Sequence, residues 1–363
     1  MRLWPPDLLP IDPAAGLVVL AASARAIGRS LAQAGHAVRC VDFFADADTP
    51  HAMRIADPAD PESIRTTVAA AAPPDWPLLY GGAMENRPDV LAAIAADGRA
   101  ILGTQPADLI RLHKELRVVV AAADAVMPEE RPGDGERPGN GWIWKPARTA
   151  AGAHIGPARG PGPGIWQRLV PGESIGGAFV AGRGRVAPLG LVRHHRRRRA
   201  EASQPFFVMD LTHDPADRVP NELRRLAEVI AAEFAIAGPF GLDSIAAPNG
   251  SVTLLECNPR PTAGMELVER AGDASGGDAS LVQGKRVVLA DRDRVSSLAA
   301  TDRRDLADIP PSGTRVSRGQ PWCSVFAAAA TVSDCLAALE TAEHRVQTSG
   351  PSSSASSPIP PAS

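Results

Sequence analysis

The segment LLECNPRP, residues 254–261, ends an apolar run with an acid, a cysteine, an amide and an arginine held between two prolines. The stretch before it reads FGLDSIAA, PNGS and VT. This is typical of two strands joined by a tight turn, because Asn-Gly favours a two-residue turn with positive φ at both central residues. With Asn249 and Gly250 at the turn, counting back along the strands places Asp243 directly opposite Glu256. The hairpin therefore predicts a cross-strand pair of carboxylates.

One face of this predicted hairpin carries oxygen ligands. Side chains alternate along a strand, so Asn258 shares the face of Glu256 while Cys257 points the other way. Two carboxylates about 5 Å apart across a strand pair repel each other unless a cation lies between them. Two acids and an amide oxygen suit Mg²⁺, which takes waters or phosphate oxygens as its other ligands. We therefore predict that Asp243, Glu256 and Asn258 bind a metal ion; the alternative is an exposed Glu256 in an ion pair with Arg260.

The elements at the start of the chain alternate between strand and helix. LVVLAA, a helical stretch that stops at Gly35, and AVRCVDFF form a βαβ unit, and the same alternation continues to AILG at residue 103. Residues 15–105 are therefore predicted to form a small parallel α/β domain. Its first turn, AASARAIG, lacks the GxGxxG that lets a backbone approach a pyrophosphate. A structural role is favoured over a dinucleotide site with Asp42 after the second strand.

The pattern changes class after residue 106. An amphipathic helix comes first, followed by PEERPGDGERPGNG, which is predicted to be a flexible surface loop. The strands that follow are predicted to pair antiparallel, and a long amphipathic helix with a glycine stop leads into the hairpin. The segments are 106–127, which is a helix followed by an approach to a strand, the strand WIWKPA at 142–147, the small-residue loop 148–156, the strands between 165 and 192, and the helix 221–238.

The C-terminal part is predicted to be a small β-rich module. Residues 285–348 contain KRVVLA, then a Pro/Gly turn segment with the short strands TRVS and CSVFAAA, and a helix from Val332 onward. The last fifteen residues, SGPSSSASSPIPPAS, have too little apolar surface to order themselves, so 349–363 is predicted to be a disordered tail.

Length and charge narrow the class of protein. A chain of 363 residues can hold about two or three domains with buried cores, and its formal net charge of -3 gives no general reason to expect nucleic-acid or membrane binding. No segment approaches the ~20 apolar residues of a membrane span, and the start, MRLWPPDLLPIDP, lacks the basic-then-apolar order of a secretory signal. A soluble cytoplasmic protein is expected, and its oligomeric state is left open.

The cysteines indicate a reducing compartment. The chain has four, with no CxxC pair and no metal-like spacing with histidine, so free thiols are expected rather than disulfides. Cys257 is predicted to be a small packed hydrophobe and not a nucleophile. The cysteines are Cys40, Cys257, Cys323 and Cys335.

The run RHHRRRR at residues 193–199 leaves three alternatives open. It is a solvated, mobile loop, an arm that contacts nucleic acid, or a set of cations that meet an anionic substrate at a cleft. His194 and His195 have no carboxylate or cysteine partner at ligand spacing, so no metal site is predicted there.

The order of these motifs resembles the ATP-grasp superfamily of ATP-dependent carboxylate-amine ligases. A strand carries a lysine, a small-residue loop follows, a strand ends in Q-x-x-V-x-G, and a helix then precedes G-x-D and E-x-N-P-R. The resemblance covers residues 15–290 and implies an ATP-grasp fold with an N-terminal Rossmann-like pre-ATP-grasp domain at 15–105. It places the nucleotide-binding and catalytic region at 106–290 and a small C-terminal β-rich module at 291–348.

The resemblance also implies roles for individual residues. Lys145 would hold ATP phosphates together with the loop 149–154, which contains Gly152, and Lys114 would be a further phosphate contact. The remaining implied residues are Gln167, Arg168 and Val170 beside the adenine, Glu173 at the ribose, Asp243, Glu256 and Asn258 on Mg²⁺ (or Mn²⁺), and Arg260 at the acyl-phosphate.

The implied reaction uses ATP to activate a small-molecule carboxylate as an acyl-phosphate, which an amine then attacks. Charge neutralisation and alignment suffice for the first step, so no protein nucleophile is needed. The C-terminal patterns D-I-P-x-x-G-T and G-x-P-x-C-x-V-F-A resemble a subgroup of ATP-grasp ligases from bacteria that use tetrahydromethanopterin. This second resemblance implies a substrate in the biosynthesis of tetrahydromethanopterin or of a methanofuran-like carrier.

The sequence is also compatible with two functions other than that of a ligase. The loop RTAAGAHIG holds one internal glycine, Gly152, where relatives have several, and fewer glycines leave fewer N–H groups free to approach a phosphate. A weakened ATP-grasp protein that binds Mg-ATP as an accessory or regulatory factor is therefore one alternative. The other is an NAD(P)-dependent oxidoreductase that uses residues 15–105.

Overall fold

The structure is a computed structural model, and it describes residues 3–5, 16–147, 155–160, 162–197, 209–272, 280–298 and 304–348. The strands in this part of the chain form a parallel sheet, a small antiparallel sheet, a large antiparallel sheet and a short two-stranded ladder. The predicted mixture of a parallel α/β unit with antiparallel sheets is confirmed. The predicted tail at 349–363 and most of the loop 148–156, including Gly152, lie outside the described residues.

The N-terminal unit is a doubly wound parallel sheet. Its elements are β1 (Leu17–Leu20), α1 (Arg25–Gln33), β2 (Val38–Asp42), β3 (Ala52–Arg54), α2 (Pro61–Ala71), β4 (Leu78–Tyr80), α3 (Pro88–Ala96) and β5 (Ile101–Leu102). Every residue of β1 is buried, as expected for a strand covered by helices on both faces. The strand order is β3-β2-β1-β4-β5. The chain therefore leaves β1 in one direction and returns on its other side at β4, which makes a topological switch point between these two strands.

A long helix and a small sheet follow. The elements are α4 (Pro106–Ala122), β6 (Glu130–Pro132), β7 (Trp142–Pro146) and β8 (Gly164–Arg168), and the strand order is β6-β8-β7. The core of this sheet is formed by Trp142, Trp144 and Trp166. The prediction of a flexible loop between α4 and β7 is wrong in part, because β6 lies inside that segment and pairs with β8.

The large sheet contains the predicted hairpin. Its strands are β9 (Glu173–Gly182), β10 (Arg185–Arg196), β11 (Met209–His213), β12 (Gly238–Ala246), β13 (Val252–Asn258), β14 (Val282–Leu289), β16 (Leu306–Ala307) and β18 (Pro321–Ala329), and their order is β13-β12-β9-β10-β11-β14-β18-β16. The other elements of this part are α5 (Asn221–Glu233), α6 (Met265–Gly272), the ladder of β15 (Arg294–Val295) and β17 (Arg315–Val316), and α7 (Val332–Thr348). Because β18 pairs with β14, one sheet runs across the predicted boundary at 290/291.

The helix α5 packs on the large sheet through the apolar stripe that the sequence predicts. Leu223, Leu226, Ile230 and Phe234 are fully buried there. The helix does not stop at the predicted glycine, Gly238. It ends at Glu233, and Ala235 takes the left-handed conformation with φ 45.

The basic run is a strand rather than a mobile loop. Residues 193–196 belong to β10 and pair with β11, so that alternative is wrong for this part of the run. Arg193 donates to both oxygens of Asp217 and also pairs with Glu173. Arg197 pairs with Glu343. These acids neutralise the cations and allow them to lie on a paired strand. Residues 198–199 lie outside the described part of the chain.

The hairpin of β12 and β13 does not contain the predicted turn. Gly250 has φ 85, but Asn249 is not among the residues with positive φ. The Gly250 amide donates to Ala247 O at 2.9 Å, and the Ala247 amide donates to Ser251 O at 2.9 Å. The turn is therefore a three-residue loop with glycine at the left-handed position, which moves the register by one residue from the predicted one.

A β-bulge moves the register back. Ser244 pairs with Leu254, whereas Asp243 pairs with Glu256, so Leu255 is the extra residue on β13. The predicted pairing of Asp243 with Glu256 is confirmed, although two compensating shifts produce it and not the two-residue turn.

A buried ion network joins the parallel unit to the large sheet. Arg25, at the start of α1, is 2% exposed. Its terminal nitrogens donate to the two carboxylate oxygens of Glu266 at 2.7 and 2.8 Å, and its Nε donates to Asp308 at 2.7 Å. Lys285 donates to the same Glu266 at 2.9 Å. Burial raises the pKa of Glu266, but the charges of Lys285 and Arg25 outweigh it and hold that pKa at about 2.

We predict that Arg25→Met lowers the free energy of unfolding by about 3–5 kcal/mol, because it removes one partner of a buried network and leaves acids without their cation. Urea denaturation at neutral pH measures the loss. The matched control is Arg65→Met, which breaks a pair with Glu62 on the exposed surface and costs little by comparison. Equal losses in the two variants would contradict the role given to Arg25.

Candidate active site

Asp243, Glu256 and Asn258 converge where β12 and β13 lie side by side. The Asn258 amide nitrogen donates to Asp243 Oδ2 at 3.0 Å and to Glu256 Oε1 at 3.4 Å. Asn258 itself is 8% exposed. The cross-strand pairing brings the two carboxylates together, and the alternation along β13 adds the amide, as predicted.

Lys145 reaches this cluster from the small sheet. Its Nζ donates to Glu256 Oε2 at 2.6 Å. Burial lowers the pKa of Lys145, but the Glu256 carboxylate outweighs that and raises it above the ordinary lysine value. The Glu256 side chain keeps 42% of its surface exposed and the Lys145 side chain keeps 19%, so solvent reaches the pair mainly from the Glu256 side.

Arg260 connects the cluster to the parallel unit. Its guanidinium donates to Asn258 Oδ1 at 3.0 Å through Nη2 and to Glu85 Oε1 at 2.9 Å through Nε. The alternative in which Glu256 pairs with Arg260 is wrong, because Glu256 pairs with Lys145 and Arg260 pairs with Glu85. The cluster therefore receives one cation from each of two directions.

The two carboxylates have opposite pKa shifts. Burial, followed by the nearby charge of Glu256, raises the pKa of Asp243 to about 7. The Lys145 ammonium lowers the pKa of Glu256. At neutral pH Glu256 is therefore ionised, whereas Asp243 is close to the midpoint of its titration. This is the behaviour of a carboxylate pair that lacks a cation between its members.

Glycine and histidine extend the site across the sheet. A Cβ added to Gly176 would lie 3.1 Å from His194 Nε2 and 3.2 Å from Asp243 Oδ1, which is tighter than ordinary contact, so glycine lets these two groups lie close to the strand. His194 also forms a hydrogen bond with Ser174 Oγ at 3.1 Å through Nδ1. Burial lowers the pKa of His194 to about 4, which keeps it neutral at physiological pH.

The sequence reasoning missed His194, because it looked for partners close in sequence. The signal that could have found it is alternation along β10, which puts His194 on the same face as Val192. That face of β10 adjoins Gly176 and Asp243 on β9 and β12. The order of the strands in the sheet was not readable from spacing.

Three of the residues expected at the adenine and ribose lie along the link between the two sheets, which runs from β8 to β9. Gln167 is 5% exposed and donates to Glu130 at 3.0 Å. Arg168 is exposed, with its guanidinium carbon 5.8 Å from the Trp142 ring centre. Glu173 begins β9 and pairs with Arg193.

Two further expected contacts have other surroundings. Val170 is half-buried within the same link. Lys114 lies on the exposed side of α4 and has no hydrogen bond or ion pair to a described residue. The structure does not bring Lys114 into the cluster, and its role stays a prediction.

Two residues outside the cluster have structural surroundings. Cys257 packs against the core between the large sheet and α5, and burial raises the pKa of its thiol. Asp42 is fully buried, and its carboxylate accepts hydrogen bonds from the amides of Ala24, Phe44 and Ala45 at 3.1, 3.1 and 2.6 Å. These hydrogen bonds occupy the carboxylate of Asp42, which would bind the ribose if the parallel unit were a dinucleotide site.

The metal-binding capacity of the cluster depends on the amide. In the described part of the chain no group of three His, Cys, Asp or Glu side chains has an arrangement that could hold a metal ion. A cation held by Asp243 and Glu256 would therefore need Asn258 as its third protein ligand.

Among the described helices none has the length and apolar character required to cross a bilayer.

No protein-family model and no curated protein matches the sequence. Solved structures do match over most of the chain. An L-amino acid ligase from Bacillus licheniformis has a TM-score of 0.61 at 12% identity, covering 91% of this chain and 97% of its own. The chain has the ATP-grasp fold. A biotin carboxylase–βγ-ATP complex from Campylobacter jejuni has a TM-score of 0.62 at 13% identity, covering 90% of both chains.

A third structure of the ATP-grasp fold covers the chain equally well. The N5-carboxyaminoimidazole ribonucleotide synthetase from Thermotoga maritima has a TM-score of 0.59 at 13% identity, covering 91% of this chain and 98% of its own. At such low identity the similarity shows the fold and not the reaction. The side chains of the cluster, and not the fold, therefore indicate the chemistry.

We predict that Glu256→Gln lowers the pKa of Asp243 from about 7, because it removes the adjacent negative charge and leaves the Lys145 and Arg260 cations in place. A ¹³C NMR titration of the aspartate carboxyl carbons in metal-free protein measures the shift. The control is Glu173→Gln, which removes an exposed acid from the same sheet and should leave the Asp243 midpoint where it is. An unchanged midpoint in Glu256→Gln would contradict the coupling.

Proposed function

We propose that this protein is an ATP-dependent ligase that activates a carboxylate as an acyl-phosphate and joins it to an amine through a new C–N bond. The observation that carries the proposal is the convergence of Lys145, the acid–amide cluster and Arg260 at one place. Lys145 lies 111 residues before Glu256 in the sequence, so its contact with the acids of the hairpin depends on how the small sheet and the large sheet lie together. The ATP-grasp fold adds support, since the similar solved structures include an amino acid ligase.

The cluster fits Mg²⁺, or Mn²⁺ with the same ligand preference. Asp243 and Glu256 supply two acidic oxygens, and Asn258 supplies an amide oxygen once the amide turns about its Cβ–Cγ bond. Gly176 places no side chain against Asp243 Oδ1, where even a Cβ would come within 3.2 Å of that oxygen. The raised pKa of Asp243 also fits, because a carboxylate pair of this kind is stabilised by a cation between its members. When bound, the ion would neutralise charge on the ATP phosphates.

The other residues of the site would position the reacting groups. Lys145 is proposed to turn from Glu256 to the ATP phosphates, and Arg260 to hold the substrate carboxylate and the acyl-phosphate. A carboxylate oxygen attacks the γ-phosphorus, and the bond from that phosphorus to the bridging oxygen breaks, so ADP leaves with the electron pair. The amine nitrogen then attacks the acyl carbon, the carbon–oxygen bond to the phosphate breaks so that phosphate leaves with the electron pair, and the nitrogen loses one proton to solvent. Both steps need charge neutralisation and alignment more than a protein nucleophile.

The link between β8 and β9 is proposed to line the nucleotide. Gln167, Arg168 and Val170 would lie beside the adenine, and Glu173 would accept from the ribose. This is supported by the position of the link, which joins the sheet that carries Lys145 to the sheet that carries the acids. Lys114 and Gly152 are further proposed phosphate contacts.

For the substrates we propose a small-molecule acid and amine in the biosynthesis of a tetrahydromethanopterin- or methanofuran-type carrier. The support is the pair of C-terminal sequence patterns. In the structure Asp308, the first residue of D-I-P-x-x-G-T, binds Arg25 in the buried network. The pattern therefore helps to join the units, and substrate recognition would come from other residues. The four free cysteines support a cytoplasmic location.

The proposed division of labour follows three segments. Residues 15–105 would bind the acceptor side of the reaction, 106–290 would bind the nucleotide and perform the chemistry, and 291–348 would complete the large sheet. The second candidate function is an accessory protein that binds Mg-ATP without turnover, and the sparse glycines of 148–156 favour it. Both functions require Mg-ATP binding, but only a ligase releases ADP in response to an acid and an amine.

An ADP-release screen across pterin, furan and amino-acid acids, each with and without candidate amines, tests the proposed function. A ligase gives ADP and phosphate that depend on the acid and on the amine. Tight Mg-ATP binding with no substrate-dependent ADP would favour the accessory function. Binding of NAD(P)H in place of ATP would overturn both.

We predict that Glu256→Gln abolishes Mg-ATP turnover while the fold stays intact, because the variant removes a proposed ligand to the ion without changing side-chain volume. Steady-state ADP release and circular dichroism measure the two properties. The control is Glu233→Gln, which changes an exposed acid at the end of α5 that pairs with Arg111 of α4. Normal turnover in Glu256→Gln would refute the metal assignment.

Arg260→Lys is predicted to retain most of the nucleotide affinity and to slow formation of the acyl-phosphate by about tenfold or more. A lysine replaces the planar fork of the guanidinium with a point charge, and it cannot reach Glu85 and Asn258 together. ATP binding by calorimetry and single-turnover ADP formation separate the two effects. If both match the wild type, Arg260 has no role in the reaction.

A further inference from the structure

The topological switch point of the parallel sheet faces the catalytic cluster. The loops that follow β1 and β4 flank it, and the Ala22 amide joins them by donating to Gly82 O at 2.8 Å. In open α/β sheets, ligands bind in the crevice beyond the carboxyl ends of the strands at such a point. A Cβ added to Gly82 would meet Arg260, at 3.8 Å, before any other group. The crevice therefore adjoins the guanidinium that is proposed to hold the acyl group.

Glu85 follows β4 and has one carboxylate oxygen in use and one free. The residue is 5% exposed. Its Oε1 accepts from Arg260 Nε at 2.9 Å, whereas its Oε2 is buried with no hydrogen-bond partner in the described part of the chain. Leaving a buried, charged acceptor unpaired is costly, so native proteins rarely do it without a ligand or water to complete the bonding.

The backbone before Glu85 is held in an uncommon conformation. Ala83 has φ 77, in the left-handed region that non-glycine residues rarely adopt. The turn is fixed by the Met84 amide, which donates to Gly81 O at 3.2 Å. Strain of this kind persists where the surrounding structure requires it, and it commonly accompanies a ligand site. Here it directs Glu85 toward Arg260.

We propose that Glu85 Oε2 binds the amine substrate, as a primary amine or its ammonium, in the crevice between the ends of β1 and β4. This inference rests on the proposed ligase function for the identity of the ligand. Each member of the Glu85–Arg260 ion pair would bind one of the two substrates, because one member is an anion and the other is a cation. The guanidinium faces the carboxylate side, and the free carboxylate oxygen accepts an N–H of the amine, so nucleophile and acyl carbon approach each other at one ion pair.

Glu85→Gln is the decisive variant. Glutamine keeps the size of the side chain and one oxygen for Arg260 Nε, but it replaces the free acceptor with an N–H₂ donor that opposes an amine. The first readout needs no turnover. Methylammonium chloride should raise the thermal unfolding midpoint of the wild type above that in equal tetramethylammonium chloride, which has no N–H to donate. Glu85→Gln should lose this difference.

The second readout uses the acid and amine found by the ADP-release screen. Glu85→Gln should raise KM for the amine by about tenfold or more, as expected for loss of a hydrogen bond to a charged group. Hydroxamate formation with saturating hydroxylamine reports the acyl-phosphate step, and Glu85→Gln should change its rate much less than it changes KM for the amine. If Glu85 had a purely structural role, Glu85→Gln would impair ligation of the amine and hydroxamate formation to the same extent.

Two further variants separate the amine site from general loosening. Gly82→Ala keeps every charge, and its methyl group meets Arg260 at ordinary van der Waals distance, so it should fold and raise KM for the amine by filling the crevice. Tyr80→Phe removes the hydroxyl that donates toward Thr104 O and Pro259 O, at 3.0 and 3.2 Å. It loosens the same contact and should leave KM for the amine unchanged.

The outcomes distinguish a failure of the amine site from a failure of the proposed ligase function. If no acid and amine give ADP release, the ligase function fails, while the methylammonium comparison still decides whether Glu85 binds an amine. If ADP release occurs but Glu85→Gln keeps the wild-type KM for the amine, only the amine site is overturned. The absence of a methylammonium-specific shift in the wild type also overturns it.

Discussion

The repulsion between Asp243 and Glu256 is the constraint around which the rest of the structure is arranged. The two acids face each other across β12 and β13, and a sheet does not keep like charges opposite each other unless cations compensate. Lys145 supplies one cation from the small sheet, and Arg260 supplies another through Asn258. Because Arg260 also binds Glu85, the compensation extends to the parallel unit. Three units of the fold thus meet at one pair of carboxylates.

The arrangement holds only if the units keep their relative positions. The network around Arg25 serves that purpose on the same face of the large sheet, away from the acids. It joins the start of α1 to α6 through Glu266 and to the C-terminal segment through Asp308. The Glu266 side chain is 11% exposed and the Asp308 side chain is 23% exposed, so solvent screens their interactions with the cations less than it screens pairs on the surface. The C-terminal residues therefore act as a structural tie between the parallel unit and the sheet that carries the cluster.

The pairing of Asp243 with Glu256 shows how a sequence prediction can be right for an incomplete reason. The predicted two-residue turn would give the observed pairing of Asp243 with Glu256. The actual loop has three residues, which moves the register by one, and the bulge at Leu255 moves it back. The side-chain pattern selected this outcome, since a one-residue slip would have moved Glu256 and Asn258 to the buried face. Register was fixed by which side chains tolerate burial, and the turn adapted to it.

Local pattern determined much of this protein. The strands and helices of the parallel unit, the stripe of α5 and the shared face of Glu256 and Asn258 all follow from periodicities of two and 3.6 residues, which a sequence displays directly. The same periodicities say nothing about which strands become neighbours. His194 beside Asp243, Lys145 on Glu256 and Glu85 on Arg260 were decided by strand order and by packing between units. Those contacts depend on long-range burial and charge compensation, which exist only once the chain has folded.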